Sequence, residues 1–236
     1  MNKGNLYLIP TPLGETGFEL GIPAYNLQLL QKINTFIVEE LRTARRFLRK
    51  AGYTKDFEAV TFYLLNKHTP AGEVADMLIK SLAGQHIGLL SEAGLPCIAD
   101  PGNIAVKLAH QKGIRVIPLT GPSSILLALM ASGLNGQNFV FHGYLPVKPE
   151  ERLNALRELE HAISKGNQTQ IFIETPYRNM AMFDSIVKTC HSSLTLCIAA
   201  DLTLETEWIR SMPVNEWKRQ KPELNKRPAV FLLGRS

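Results

Sequence analysis

The chain has 236 residues, 45% of them hydrophobic and 20% charged, and its 26 Lys+Arg exceed its 21 Asp+Glu to give a formal net charge of +5. That balance belongs to a soluble globular chain and excludes wholesale disorder; the mild basic excess on its own specifies no partner. The longest apolar runs, such as residues 125–131, fall short of the roughly 20 residues a bilayer span needs, and residues 1–10 lack the apolar core and cleavage site of a signal peptide. Three cysteines (Cys97, Cys190, Cys197) with no CxxC spacing argue against a disulfide framework and a structural zinc site. A cytoplasmic protein is expected.

In chain order, β-branched and apolar runs alternate with helically spaced ones. Strands are expected at residues 5–10, 35–40, 59–65, 86–91 and 115–119, with helices at 24–33, 41–51, 70–82 and 104–112. Strands separated by single helices imply a parallel sheet with crossover connections. The pattern then changes. An apolar helix at 123–132 precedes a strand at 139–145, an amphipathic helix at 150–164, a strand at 169–174, a helix at 178–190 and a strand at 194–200. Two final strands, 207–212 and 229–233, are joined by a polar stretch. The expectation is an α/β fold of two α/β domains. The N-terminal one (1–118) has a mostly parallel sheet, the C-terminal one (119–236) a mixed sheet, and the seam lies near 118–121.

Four loops have the composition of ligand sites. PTPLG, residues 10–14, follows the first strand; ligands of open α/β sheets bind beyond the carboxyl ends of the strands. SEAGLPCIADPG, residues 91–102, follows the fourth. Its glycines and prolines present backbone groups to a polar ligand, and Glu92 and Asp100 suit hydroxyl or ammonium groups; the alternative is a structural turn in which Asp100 caps the next helix. GPSS, residues 121–124, opens the apolar helix, where Ser123 and Ser124 either cap it or bind a ligand. ETPYR, residues 174–178, offers Arg178 either to a phosphate or to Glu174.

There is no GxGxxG after the first strand, no GxxxxGK[ST], no HExxH and no GxSxG, and the six histidines are scattered. No metal is expected. In LRTARRFLRKA, Leu41, Ala44, Leu48 and Ala51 share one helical face, and Arg42, Arg45, Arg46 and Arg49 share the next. Such a stripe is either a solvated face or a seat for phosphates, and so for RNA.

Six segments carry a family resemblance: LYLIPTPLG (6–14), EELRTARRFL (39–48), LLSEAGLPCIADPG (89–102), IRVIPLTGPSSILLALMASGL (114–134), FVFHGYLP (139–146) and IFIETPYR (171–178). With them the chain resembles the tetrapyrrole methylase superfamily, the class III S-adenosylmethionine-dependent methyltransferases. It looks most like the branch that 2′-O-methylates a cytidine of bacterial small-subunit ribosomal RNA. The resemblance implies two α/β domains in a homodimer, with S-adenosyl-L-methionine as methyl donor in the cleft between the domains. It implies donor-binding residues at Pro10, Pro12, Ser91, Glu92, Ala93, Gly94, Ser123, Ser124, Phe172, Ile173, Pro228 and Ala229. Glu39 and Arg42 stand at the acceptor side as catalytic candidates, and Arg42, Arg45, Arg46 and Arg49 would meet RNA or the small ribosomal subunit.

The chain departs from that branch where acceptor groups are expected. Val38-Glu39-Glu40-Leu41-Arg42 stands for Ala-Glu-Asp-Thr-Arg, and the first loop ends in Gly14-Glu15 instead of Gly-Asn. Tyr63-Leu64-Leu65-Asn66-Lys67 and Ala200-Asp201-Leu202-Thr203-Leu204 replace more polar stretches. A small-molecule methylase and a non-catalytic donor-binding protein are therefore the alternatives.

Overall fold

The computed structural model describes residues 3–66 and 68–235; Met1, Asn2, Lys67 and Ser236 lie outside it. The Lys67 of the departure at 63–67 is thus not described. The chain forms two compact units, Met1–Ser123 and Ser124–Ser236.

The first unit runs β1 (Asn5–Ile9), α1 (Ala24–Leu30), β2 (Thr35–Val38), α2 (Leu41–Lys50), β3 (Thr61–Leu64), α3 (Ala71–Met77), α4 (Ile79–Leu82), β4 (Ile87–Leu90), α5 (Asn103–Gln111), β5 (Arg115–Pro118). Its sheet has the order β3-β2-β4-β1-β5 with every pairing parallel, as expected from the alternation. Successive side chains of a strand enter opposite faces. Phe36 and Val38 of β2 thus join one core cluster with Leu48 of α2, while Ile37 joins the other with Val74 and Ala105. With β1 and β4 adjacent, the loops that follow them stand side by side.

Two elements differ from expectation. The helix expected over 70–82 divides at Leu78, where the ladder tightens to i→i+3: the Leu78 N–H bonds the Ala75 carbonyl and the Ser81 N–H bonds that of Leu78. The strand expected from 59 starts at 61, because Phe57–Ala59 forms a 3₁₀ turn capped by the Asp56 side chain.

The second unit runs α6 (Ser124–Ser132), β6 (Phe139–Tyr144), α7 (Pro149–Gly166), β7 (Thr169–Ile173), α8 (Asn179–Thr189), β8 (Thr195–Ala200), β9 (Trp208–Pro213), α9 (Val214–Trp217), β10 (Ala229–Gly234). Its sheet, β6-β7-β10-β8-β9, is mixed: β6 and β7 are parallel and the other pairs antiparallel. The short α9 lies in the stretch that reads as merely polar. Trp217 anchors it, with its ring in the core and its Nε1–H donating to the Leu196 carbonyl at 2.9 Å. All three cysteines are free, and no described helix is long and apolar enough to cross a membrane.

Candidate active site

In the first unit, the loops after β1 and β4 are bonded to each other. Thr11 and Gly94 exchange both backbone hydrogen bonds, at 3.0 and 3.1 Å. The Ser91 hydroxyl donates to the Gly94 carbonyl at 2.6 Å and lies 3.2 Å from the Thr11 hydroxyl. Gly94 has φ +74°, a left-handed conformation that disfavours side chains, and a Cβ there would also stand 3.0 Å from Leu13 Cδ2. Cys97 and Ala99, at φ 68° and 59°, hold the same loop in a backbone region that non-glycine residues enter at a cost. The segment before Ser123 closes on this wall: a Cβ on Gly121 would stand 2.2 Å from Pro10 Cβ, and the Asn26 side chain donates to the Thr120 carbonyl at 2.8 Å. Pro10, Pro12, Ser91, Glu92, Ala93 and Gly94 are therefore brought together.

The start of α2 adds acids to this wall. Glu40 is its N-cap and accepts from the backbone N–H groups of Arg42 at 2.9 Å and Thr43 at 2.6 Å. Those two bonds hold its carboxyl below the usual carboxylate range. The Thr43 hydroxyl donates to Glu92 Oε1 at 2.8 Å, linking α2 to the loop after β4. Glu39 is exposed and hydrogen-bonded to Asp100. Burial first, then the hydrogen bond and charge of Glu39 and the charge of Glu92, push Asp100 up to about 7. The alternative that Asp100 caps the next helix is thereby corrected: the N-cap of α5 is Gly102, with no side-chain capping bond. Glu39, Arg42 and Glu92 do gather at this edge, and Asp100 belongs with them as an acid paired to another acid.

The arginine stripe divides. Arg45 lies over the rings of Phe57 and Phe62, at 5.5 and 5.4 Å from their centroids. Arg49 lies 4.0 Å from the Phe57 centroid and donates to the carbonyls of Tyr53 at 2.8 Å and Lys55 at 3.0 Å. These two guanidiniums pin the chain that leads into β3, so Arg45 and Arg49 have internal partners that Arg42 and Arg46 do not share. Among the described residues Arg46 and Lys50 make long ion pairs, 3.9 and 3.8 Å, to the exposed Glu15. Arg42 is exposed beside Glu40. A cavity of about 170 Å³ opens between this helix and the two loops, lined by Pro12, Phe18, Thr43, Arg46, Phe47, Glu92 and their neighbours.

In the second unit, Ser124 begins α6. Phe172 is fully buried with its ring stacked on Phe231, so only the half-buried Ile173 of that pair has accessible side chain. Ile173 pairs with Val230, beside Pro228 and Ala229 at the start of β10. Arg178 grips Glu174 with two bonds, 2.9 and 2.8 Å, which settles its alternatives in favour of the internal pair. Asp201, at φ 51°, accepts from Arg227 Nε at 2.7 Å.

No family model matches the chain. Its sequence is 32% identical over 235 residues, 98% of the chain and 78% of the relative, to ribosomal RNA small subunit methyltransferase I of Escherichia coli O157:H7. The protein of the same name from Vibrio cholerae is 32% identical over 232 residues, 97% of the chain and 76% of the relative. The chain belongs to the ribosomal RNA small subunit methyltransferase I family.

Solved structures of lower identity share the fold. The methyltransferase CobJ superposes with a TM-score of 0.65 over 99% of the chain and 95% of its own, at 16% identity. The cobalt precorrin-4 methyltransferase CbiF gives 0.61 over 98% and 94%, also at 16% identity. The chain is thus a tetrapyrrole methylase-like α/β protein and, as a member of its family, an S-adenosyl-L-methionine-dependent methyltransferase. Asp100, Thr43 and the cavity-lining aromatics Phe18 and Phe47 were not singled out as site residues by the resemblance. Asp100 carried a signal in the loop composition; the aromatics carried none, being spaced like core residues.

Proposed function

We propose that this methyltransferase 2′-O-methylates a ribose of small-subunit ribosomal RNA in the cytoplasm, as a homodimer. The observation that carries the reading is the alignment of nearly the whole chain with ribosomal RNA small subunit methyltransferase I at 32% identity. The exposed cations Arg42, Arg46 and Lys50, one turn apart on α2 beside the acidic edge, support an anionic acceptor. Leu126 and Met130, exposed on α6, support an apolar face for a second copy.

The residues of the first unit fit the donor. Pro10, Pro12, Ala93 and Gly94 form a wall of small side chains and backbone groups closed by Gly121, and Glu92 suits the donor's ammonium group. Ser123, Ser124, Ile173, Pro228 and Ala229, with the backbone of Phe172, are the further donor contacts in this reading.

The donor supplies an electrophilic methyl group on a sulfonium sulfur. As the 2′-oxygen bonds the methyl carbon and the carbon–sulfur bond breaks, the hydroxyl proton passes to the Glu39–Asp100 carboxyl pair. Asp100, pushed up to about 7 by burial and by Glu39 beside it, can take a proton at neutral pH. Arg42 holds the adjoining phosphate.

The test is incubation of the protein with methyl-labelled S-adenosyl-L-methionine and small ribosomal subunits from a strain lacking its gene. Label in the RNA at a 2′-oxygen is expected. Donor binding by calorimetry with no label in the RNA overturns the acceptor.

A further inference from the structure

The cavity between α2 and the loop after β1 has two chemistries. Phe18 and Phe47 line it as an aromatic pair, with ring centroids 5.7 Å apart and tilted by 54°. At its rim stand Arg46 and Lys50, i and i+4 on α2, with side chains 52% and 53% exposed. Among the described residues Glu15, 79% exposed, is the anion paired with both, and both ion pairs exceed 3.7 Å. Pairs this long between solvated groups hold weakly and exchange readily. Thr43 and Glu92 also line the cavity, with a hydroxyl and a carboxylate.

An aromatic pair beside two weakly paired cations suits one nucleotide of a single strand. Bases stack on aromatic rings regardless of sequence, and phosphates pair with Arg and Lys. We infer that this cavity seats one unpaired nucleotide of the RNA acceptor, its base against Phe18 and Phe47 and its phosphate between Arg46 and Lys50, with Glu15 occupying the phosphate position until RNA arrives. The inference rests on an RNA acceptor for this enzyme and adds the subsite that grips it. It also gives the departure at Glu15 a role: a carboxylate there competes with phosphate and weakens binding to RNA whose nucleotide does not enter the cavity.

The test uses the full chain and a short single-stranded oligoribonucleotide carrying one 2-aminopurine, titrated by fluorescence across a salt series. The expected result is binding with a change in 2-aminopurine emission. The Arg46→Ala/Lys50→Ala variant, altered only at exposed positions, weakens binding and flattens the log–log salt dependence by about 0.7, the value for one single-strand phosphate contact. Glu15→Gln tightens binding. Phe18→Leu removes the emission change and weakens binding roughly tenfold, the scale of a lost base stack. Donor affinity, measured by calorimetry, stays constant across all variants. Unchanged oligonucleotide affinity in both Arg46→Ala/Lys50→Ala and Glu15→Gln overturns the inference. A matching loss of donor affinity also overturns it, because the cavity is then part of the donor site. Variant-sensitive oligonucleotide binding with no transfer to ribosomal subunits upholds the subsite and removes the ribosomal acceptor, so the two readings fail separately.

Discussion

Thr43 donates its hydroxyl proton to Glu92 across 2.8 Å, and by that bond the first turn of α2 is fastened to the loop after β4. The same threonine's backbone N–H is bonded by Glu40. One residue thus joins the helix cap to the acidic edge.

Asp100 makes stability fall with rising pH. Its native value, about 7, lies above the ordinary 3.8. Between those values the folded chain holds a proton that the unfolded chain releases, so this contribution is complete below the lower value and lost as pH rises through the upper one. Asp100→Asn is expected to flatten the dependence of Tm on pH in that window. If the Glu39–Asp100 pair takes the acceptor proton, the same substitution shifts the acidic limb of the kcat profile; an unmoved limb removes Asp100 from the proton path.

Glu40 acts in the opposite direction. Its carboxyl lies below the ordinary value because two backbone N–H groups bond its charged form. Its contribution is present above the ordinary value of 4.5 and lost as pH falls through the native one. Glu40→Gln is expected to lower Tm at neutral pH, and the gap to the parent protein closes on acidification.

Arg178→Ala leaves the Glu174 carboxylate, whose side chain is 0% exposed, without its cation. Stranding a buried charge costs about 3–5 kcal/mol, and the 36% exposure of the Arg178 side chain reduces this to about 2–3 kcal/mol. Urea denaturation measures it. A loss below the range of exposed ion pairs, about 1 kcal/mol, contradicts a structural role for the pair.

Arg45→Ala separates the two halves of the stripe. Two cation–π contacts are lost, with an expected cost of about 0.5–1 kcal/mol for so exposed a site. RNA affinity falls far less than in Arg46→Ala, as read by the same oligonucleotide titration.

Gly121→Ala forces a methyl group to within 2.2 Å of Pro10 Cβ unless one segment moves. The overpacking is expected to cost about 1–3 kcal/mol. Because Pro10 leads into the loop bonded to Gly94, donor affinity falls with it. A variant as stable as the parent and with full donor affinity argues that the segment at 120–123 repacks freely.

Much of this was legible because it is local. Each strand of the two sheets announced itself by apolar and β-branched runs, and the parallel character of the first sheet followed from the helices between them. The order β3-β2-β4-β1-β5 did not, since period-two patterning tells a strand which face is buried and nothing about its neighbour. The arginine stripe was visible at helical spacing, but its division was not: Phe57 and Phe62, which engage Arg45, belong to a 3₁₀ turn and a strand whose packing on α2 is tertiary. Asp100 read as a loop acid, either for a ligand's hydroxyl or ammonium group or as a cap for the next helix. Only the fold, which brings the ends of β2 and β4 together, sets it against Glu39. The sequence left Arg178 open between a phosphate and Glu174, and only the structure, with two bonds to Glu174 at 2.9 and 2.8 Å, decides for the internal pair.

On α2, the residues that anchor the helix and those that face outward do not overlap. Ala44 and Leu48 are buried, while Arg42, Arg46 and Lys50 are exposed. The outward face is thus free to drift: substitutions there alter what the helix reads at little thermodynamic risk, and a lineage can retarget such an enzyme without refolding it. The interlocked loops at Thr11 and Gly94 have no such latitude.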